Sequence, residues 1–89
     1  MRAVITVVGK DTVGILAEVS GICAKSHINI TEVSQTIMED MFCMIMMANI
    51  SESTVEFTKF SDELTKYGEE NNLSIHAMHE DIFNSMHRI

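Results

Sequence analysis

Two spacings of apolar residues alternate along this chain, one of contiguous or every-second positions and one of every third or fourth, and they predict its elements. Residues 3–8, Ala-Val-Ile-Thr-Val-Val, are β-branched and stop at Gly9, the pattern of a strand covered on both faces. From Val13 the period lengthens: Ile15, Leu16, Val19, Ile22 and Cys23 form one stripe of a helix, with Thr12 as its N-cap. Ile28, Ile30, Val33 and Ile37 mark a second strand, and the uneven step from Ile30 to Val33 predicts a bulge. Glu39-Asp40 is its turn into a third strand, residues 41–50, apolar on both faces up to Asn49.

Ser53-Thr54-Val55-Glu56 has the form of a capping box, which starts a second helix near Thr54 with Phe57, Phe60, Leu64 and Tyr67 inward. Asn71-Asn72 supplies a left-handed stop. Residues 73–80 then alternate, with Leu73, Ile75, Ala77 and His79 on one face, and Asp81 caps a short amphipathic tail helix carrying Ile82, Phe83, Met86 and Ile89. The order β-α-β-β-α-β plus a tail helix predicts the α+β, ferredoxin-like fold: a four-stranded antiparallel sheet with two helices on one face, over residues 1–89 as one domain. Right-handed crossovers put the first and third strands in the centre. Those are the two strands apolar on both faces. The face without helices would meet water unless the tail or a second copy covered it, which predicts a homodimer or a higher homo-oligomer.

Composition narrows the function classes. Thirteen acidic against six basic residues give a net charge of −7, with the bases scattered, so direct nucleic-acid binding is not expected. The run before Gly9 is too short for a signal-peptide core, and the longest apolar run, residues 41–48, is far short of the ~20 residues a membrane helix needs. Cys23 and Cys43 have no paired spacing, which fits a reducing compartment. The expectation is a cytoplasmic protein with no membrane contact.

The segment Val7 to Val19 concentrates the candidate chemistry, since two of the four glycines flank Lys10, Asp11, Thr12 and Val13 where the first strand hands over to the first helix. The first free amides of that helix, from Val13 through Gly14 and Ile15 to Leu16, would point into the turn and attract an anion. Gly9 would let the chain turn sharply, and Gly14 would let a ligand approach those amides. Asp11 could meet a cation, so a zwitterion such as an amino acid suits the corner, with Asn29 adding a donor and an acceptor. In the alternative reading, Asp11 and Thr12 only cap the helix and Gly14 only eases packing.

Residues 9–16, Gly-Lys-Asp-Thr-Val-Gly-Ile-Leu, the following helix and His27-Ile28-Asn29-Ile30 together resemble the ACT domain, a small ligand-binding regulatory module. The ending, residues 80–89, makes the chain similar in particular to stand-alone bacterial ACT proteins that look like the amino-terminal part of the glycine-cleavage repressor. The resemblance implies that an amino acid binds between protomers, at the turn after the first strand of one and the start of the second strand of its neighbour. It thus implicates Asp11 and Gly14, with Asn29. Together with the turn and the helix amides, the candidate ligand contacts are Asp11, Thr12, Val13, Gly14, Ile15, Leu16 and Asn29, and the expectation is a sensor with no cofactor and no catalysis, its occupancy passed on through assembly or a regulatory protein partner. Two positions depart from the family pattern: Val13 stands where many relatives have proline, and Gly9 where some amino-acid sensors have histidine.

Other constellations offer rival chemistry. Cys23 and His27, four apart on the predicted helix, are a candidate nucleophile and base for a small enzyme, although Cys23 belongs to the apolar stripe. His76 and His79 fall on opposite strand faces, while His79, Asp81 and His87 could converge on a metal if the tail folds back. Met38, Met41, Met44, Met46 and Met47 crowd the hairpin, as expected of an adaptable core or dimer seam. A third alternative is a ligand-independent interaction module docking through the open sheet face.

Overall fold

In the computed structural model, which describes residues 2–10 and 14–86, the elements follow in the predicted order. They are β1 (Arg2–Lys10), α1 (Ile15–Lys25), β2 (Asn29–Met38), β3 (Met41–Asn49), α2 (Phe57–Glu70), β4 (Leu73–His79) and α3 (Glu80–Met86). The sheet is antiparallel throughout, in the order β2-β3-β1-β4, so the two doubly apolar strands are the central ones. The chain has the ferredoxin-like fold.

Register assigns every side chain to a face. Ala3, Ile5 and Val7 of β1 stand beside Ala48, Met46 and Met44 of β3, and Ile5 and Val7 also beside Ala77 and Ile75 of β4. This inner face packs with Ile15, Val19 and Cys23 of α1 and Phe60 and Leu64 of α2 into the core. The predicted bulge lies between Ile30 and Glu32, where the Thr31 hydroxyl donates to the Met47 carbonyl at 3.2 Å. Beyond it, the far half of β2 runs clear of the helices, and Val33 and Ile37 stay exposed. Asn72 takes the left-handed stop, with φ of 57°.

Some local readings give way to tertiary contacts. α2 begins at Phe57, not near Thr54. The Thr54 amide instead donates to the Ser26 carbonyl at 3.0 Å, tying this loop to the end of α1, and the Ser53 hydroxyl accepts from the Val55 amide at 3.3 Å. Gly9 is not a turn residue but an extended position within β1, where a Cβ would come 2.3 Å from Leu73 Cδ2 on β4. The strand after α2 ends at His79, and Glu80 opens α3.

The outer face of the sheet carries Val4, Thr6, Val8, Cys43, Ile45 and Met47 along its centre. Val4 is fully buried there. Its cover comes from α3, which packs on β1 and β4 and whose Glu80 pairs with Arg2. Of the others, Thr6, Cys43 and Met47 are half-buried, while Val8 and Ile45 are 37% and 43% exposed.

Candidate functional site

The segment between β1 and α1 ends at Gly14, which has φ of 83° and ψ of 3° and stands as the N-cap of α1. The cap falls on Gly14 and not on Thr12, since the carbonyl that accepts the first helical bond, from the Glu18 amide at 3.0 Å, is that of Gly14. Asp11, Thr12 and Val13, three of the seven candidate ligand contacts, lie outside the described residues. Glycine is favoured here by the left-handed backbone, which costs most L-residues about 1–2 kcal/mol. It also leaves space, because a Cβ built on it meets no atom within 4 Å.

Gly14 has no side chain with which to cap the amides that follow it. The first turn of any α-helix leaves its N–H groups without intrahelical partners, and here they belong to Ile15, Leu16 and Ala17. Ile15 turns its side chain into the core, so only its backbone is offered to the corner, whereas Leu16 stands exposed beside it. The corner therefore combines donors that have no partner within the helix, the positive end of a three-turn helix and, among the described residues, open space at Gly14.

Asn29 lies elsewhere. It opens β2 at the far end of α1, opposite Asn49 of β3, which in turn lies opposite Arg2 of β1. Gly14 follows the other end of β1, so the eleven residues of α1 separate the two candidate halves by about 16 Å along its axis. Within one chain they do not form one site. Asn29 lines two adjoining shallow clefts of about 340 and 350 Å³, with His27, Asn49, Ser51 and Glu52 among the walls. Asn49 fixes the loop beyond it, since its Oδ1 accepts the Ser51 amide at 2.9 Å. His27 takes a left-handed conformation, φ 58°, after α1 has ended at Lys25. The sequence pattern marks Asn29 but passes over Asn49, His27 and Glu52, because their meeting depends on a register offset by the bulge.

The rival constellations separate in the structure. Cys23 is fully buried, and burial pushes its thiol up to about 11. Only about one molecule in 10⁴ would carry the thiolate at pH 7, and His27 is off the helix that was to hold it as base, so the pair is not an activated nucleophile. His76 and His79 do face opposite sides; His79 stacks on Phe57 with ring centroids 4.5 Å apart, leaving its buried Nδ1 without a hydrogen-bond partner. His87 lies outside the described residues, and among the described residues no three His, Cys, Asp or Glu side chains are grouped to hold a metal. A larger cleft, of about 490 Å³, is lined by Arg2, His79, Glu80, Asp81 and Ile82, at the end of β1 remote from Gly14. Its one arginine is already paired with Glu80. Met44 and Met46 are core residues, whereas Met38 and Met41 remain exposed. No helix among the described residues is long and apolar enough to cross a membrane.

Comparison with known proteins agrees with the fold. A family model described as the ACT domain matches residues 2–78. A UPF0237 protein of Listeria innocua is 54% identical over the whole of both chains. An ACT domain protein from Streptococcus pneumoniae, of solved structure, superposes with a TM-score of 0.80 at 38% identity, covering 93% of each chain. A crystal structure described as a glycine cleavage system transcriptional repressor shares the fold, with a TM-score of 0.70 at 24% identity over 85% of this chain and 43% of that one. The chain belongs to the ACT domain family, whose members are small-molecule-binding regulatory modules.

Proposed function

We propose that this protein senses an amino acid or a close zwitterionic relative, bound where the Gly14 corner of one copy meets the Asn29 end of α1 in another. The carrying observation is the corner itself: a left-handed, side-chain-free residue set directly before helix amides that have no partner within the helix. Such amides hold a carboxylate in place by hydrogen bonds and by the helix dipole. Asp11, three residues earlier, is the acid nearest in sequence for the ammonium, with Thr12 and Val13 between it and Gly14 in the sequence. Because Gly14 and Asn29 sit at opposite ends of α1, a ligand touching both needs two chains, and its occupancy then stabilises the assembly by mass action. Occupancy is read out as a change in assembly or in contact with a regulatory partner, with no covalent chemistry.

A thermal-shift screen over the common amino acids at millimolar concentration tests this reading. A ligand present at 100 times its Kd adds about 2.7 kcal/mol to stability. For a chain of this length that raises the melting temperature by about 10–20 °C. Asp11→Ala should erase the shift, and Gly14→Val should erase it while lowering the baseline. If no amino acid moves the wild-type melt, the sensing role fails.

A further inference from the structure

We infer that Met38, Met41 and Cys43 form a binding site for one copper(I) ion at the tip of the β2–β3 hairpin. Met38 and Met41 flank the two-residue Glu39-Asp40 turn and stand directly opposite each other in the antiparallel register. Cys43 lies two residues further along β3, and side chains at that spacing point to the same face of a strand. Backbone geometry puts the two methionine Cα atoms about 4.5–5.5 Å apart across the strands, and the Cys43 Cα about 6.8 Å from that of Met41. Three sulfurs sharing one ion through bonds of about 2.3 Å lie about 4 Å from one another. The unbranched methionine side chains, each with three rotatable bonds, cover that difference without moving the backbone. Exposure separates these sulfurs from the others. Met44 and Met46 are buried on the opposite face of β3, and Cys23 is sealed in the core. Met38 is 63% and Met41 38% exposed, and Cys43 is half-buried, so none of the three is locked into packing.

The donor set selects the ion. Thiolate and thioether sulfur favour copper(I) over harder cations. Binding releases the Cys43 thiol proton to solvent, and one thiolate with two neutral thioethers then balances a single positive charge. A divalent ion would keep one charge uncompensated and would call for nitrogen or oxygen donors. The strand positions opposite Met41 and Cys43 on their other neighbours are Lys10, Val8 and Thr36, none of which carries an imidazole or a carboxylate. Of the two acids in the turn, Asp40 is already paired with Lys10 at 3.4 Å. Met47 shares the face of Cys43 but stands four residues beyond it, about 13–14 Å along β3, out of reach of the same ion.

The inference does not draw on the amino-acid reading, and its test reads metal alone. The full, reduced chain is titrated anaerobically with copper(I) in the presence of bicinchoninate, whose coloured copper(I) complex reports the competition. We expect one ion per chain to be withheld from the competitor. Because Cys23 is buried, native alkylation reports on Cys43, and one equivalent of copper(I) should slow it at least about ten-fold. Met38→Leu and Met41→Leu, volume-conserving changes at exposed positions, should each weaken copper(I) at least about ten-fold, and Cys43→Ser by more. Met47→Leu should leave the affinity unchanged, and equimolar zinc should not displace the copper. A chain that yields all its copper to the competitor overturns the inference. So does binding that both Met38→Leu and Met41→Leu leave intact, which reduces the site to a single thiol, or binding that Met47→Leu weakens as much as they do, or that zinc displaces.

Discussion

Replacing Gly14 separates the two things a glycine can do at the start of α1. At φ of 83° an alanine is strained, while its Cβ would meet no atom within 4 Å, so the penalty is conformational and not steric. A left-handed L-residue costs about 1–2 kcal/mol, and roughly 0.4–1 kcal/mol returns because alanine has less freedom to lose on folding. Gly14→Ala should therefore destabilise the protein by about 1 kcal/mol, a fall of about 4–8 °C in melting temperature for a chain of this size. Gly14→Asn should be close to neutral, since asparagine tolerates the left-handed region and is a preferred N-cap. Thermal and urea melts of the two variants beside wild type supply the measurement. An alanine variant that melts with wild type, or an asparagine variant that loses as much as alanine, refutes the argument. Should Gly14→Asn keep its stability but lose an amino-acid shift seen in wild type, the open space at the corner is what the ligand uses.

Two further outcomes follow from the structure. Gly68→Ala would set a Cβ 2.7 Å from the Leu73 carbonyl oxygen, forcing α2 off β4, whereas Gly21→Ala in α1 meets nothing within 4 Å. Melting curves should show the first destabilised by about 1–3 kcal/mol of overpacking and the second stabilised by about 0.5–1 kcal/mol of helix propensity; shifts of the same sign would contradict the packing. At alkaline pH, burial holds the Cys23 proton up to about 11 against an ordinary 9.0, so its contribution to stability is complete below pH 9 and is lost as pH rises through 11. At 1.36 kcal/mol per pK unit the loss reaches about 3 kcal/mol. The Tyr67 hydroxyl, raised to about 12 by burial and by the Glu18 carboxylate to which it donates, extends the decline. Urea titrations of wild type and Cys23→Ala between pH 8 and 11 should show a flatter alkaline limb in the variant, and parallel limbs would rule out the cysteine as its source.

What could be read from the chain was what short-range periodicity encodes. The β-branched run of β1, the stripes of α1 and α2, the uneven step at Ile30 and the left-handed Asn72 each depend on neighbours within a few residues, and each stands where the pattern put it. The failures share a cause. Ser53 to Glu56 has the composition of a helix start, yet the Thr54 amide finds the Ser26 carbonyl, twenty-eight positions back, and the helix waits until Phe57. Gly9 looks like a hinge from its place before a polar stretch, although its real constraint is Leu73 on the neighbouring strand. Both are cases in which a tertiary partner overrides a local preference that the sequence states correctly.

The same distinction bears on the site. The sequence exposes Gly14 and Asn29 as unusual residues at element ends, but whether two such ends face each other is a matter of topology. Here α1 points one end at each corner and keeps them apart. A single chain thus presents two corners of different character, one with helix amides that have no partner within the helix and one lined by Asn29, Asn49 and Glu52 with donors and acceptors together. If ligand is held by both and joins copies that are separate without it, binding must depend on chain concentration even at saturating ligand, because each half is supplied by a different copy. A protein that sediments as one chain without ligand, and whose thermal shift with amino acid is the same at 1 and at 100 µM chain, would be using one corner alone, and the two-chain site would have to be abandoned.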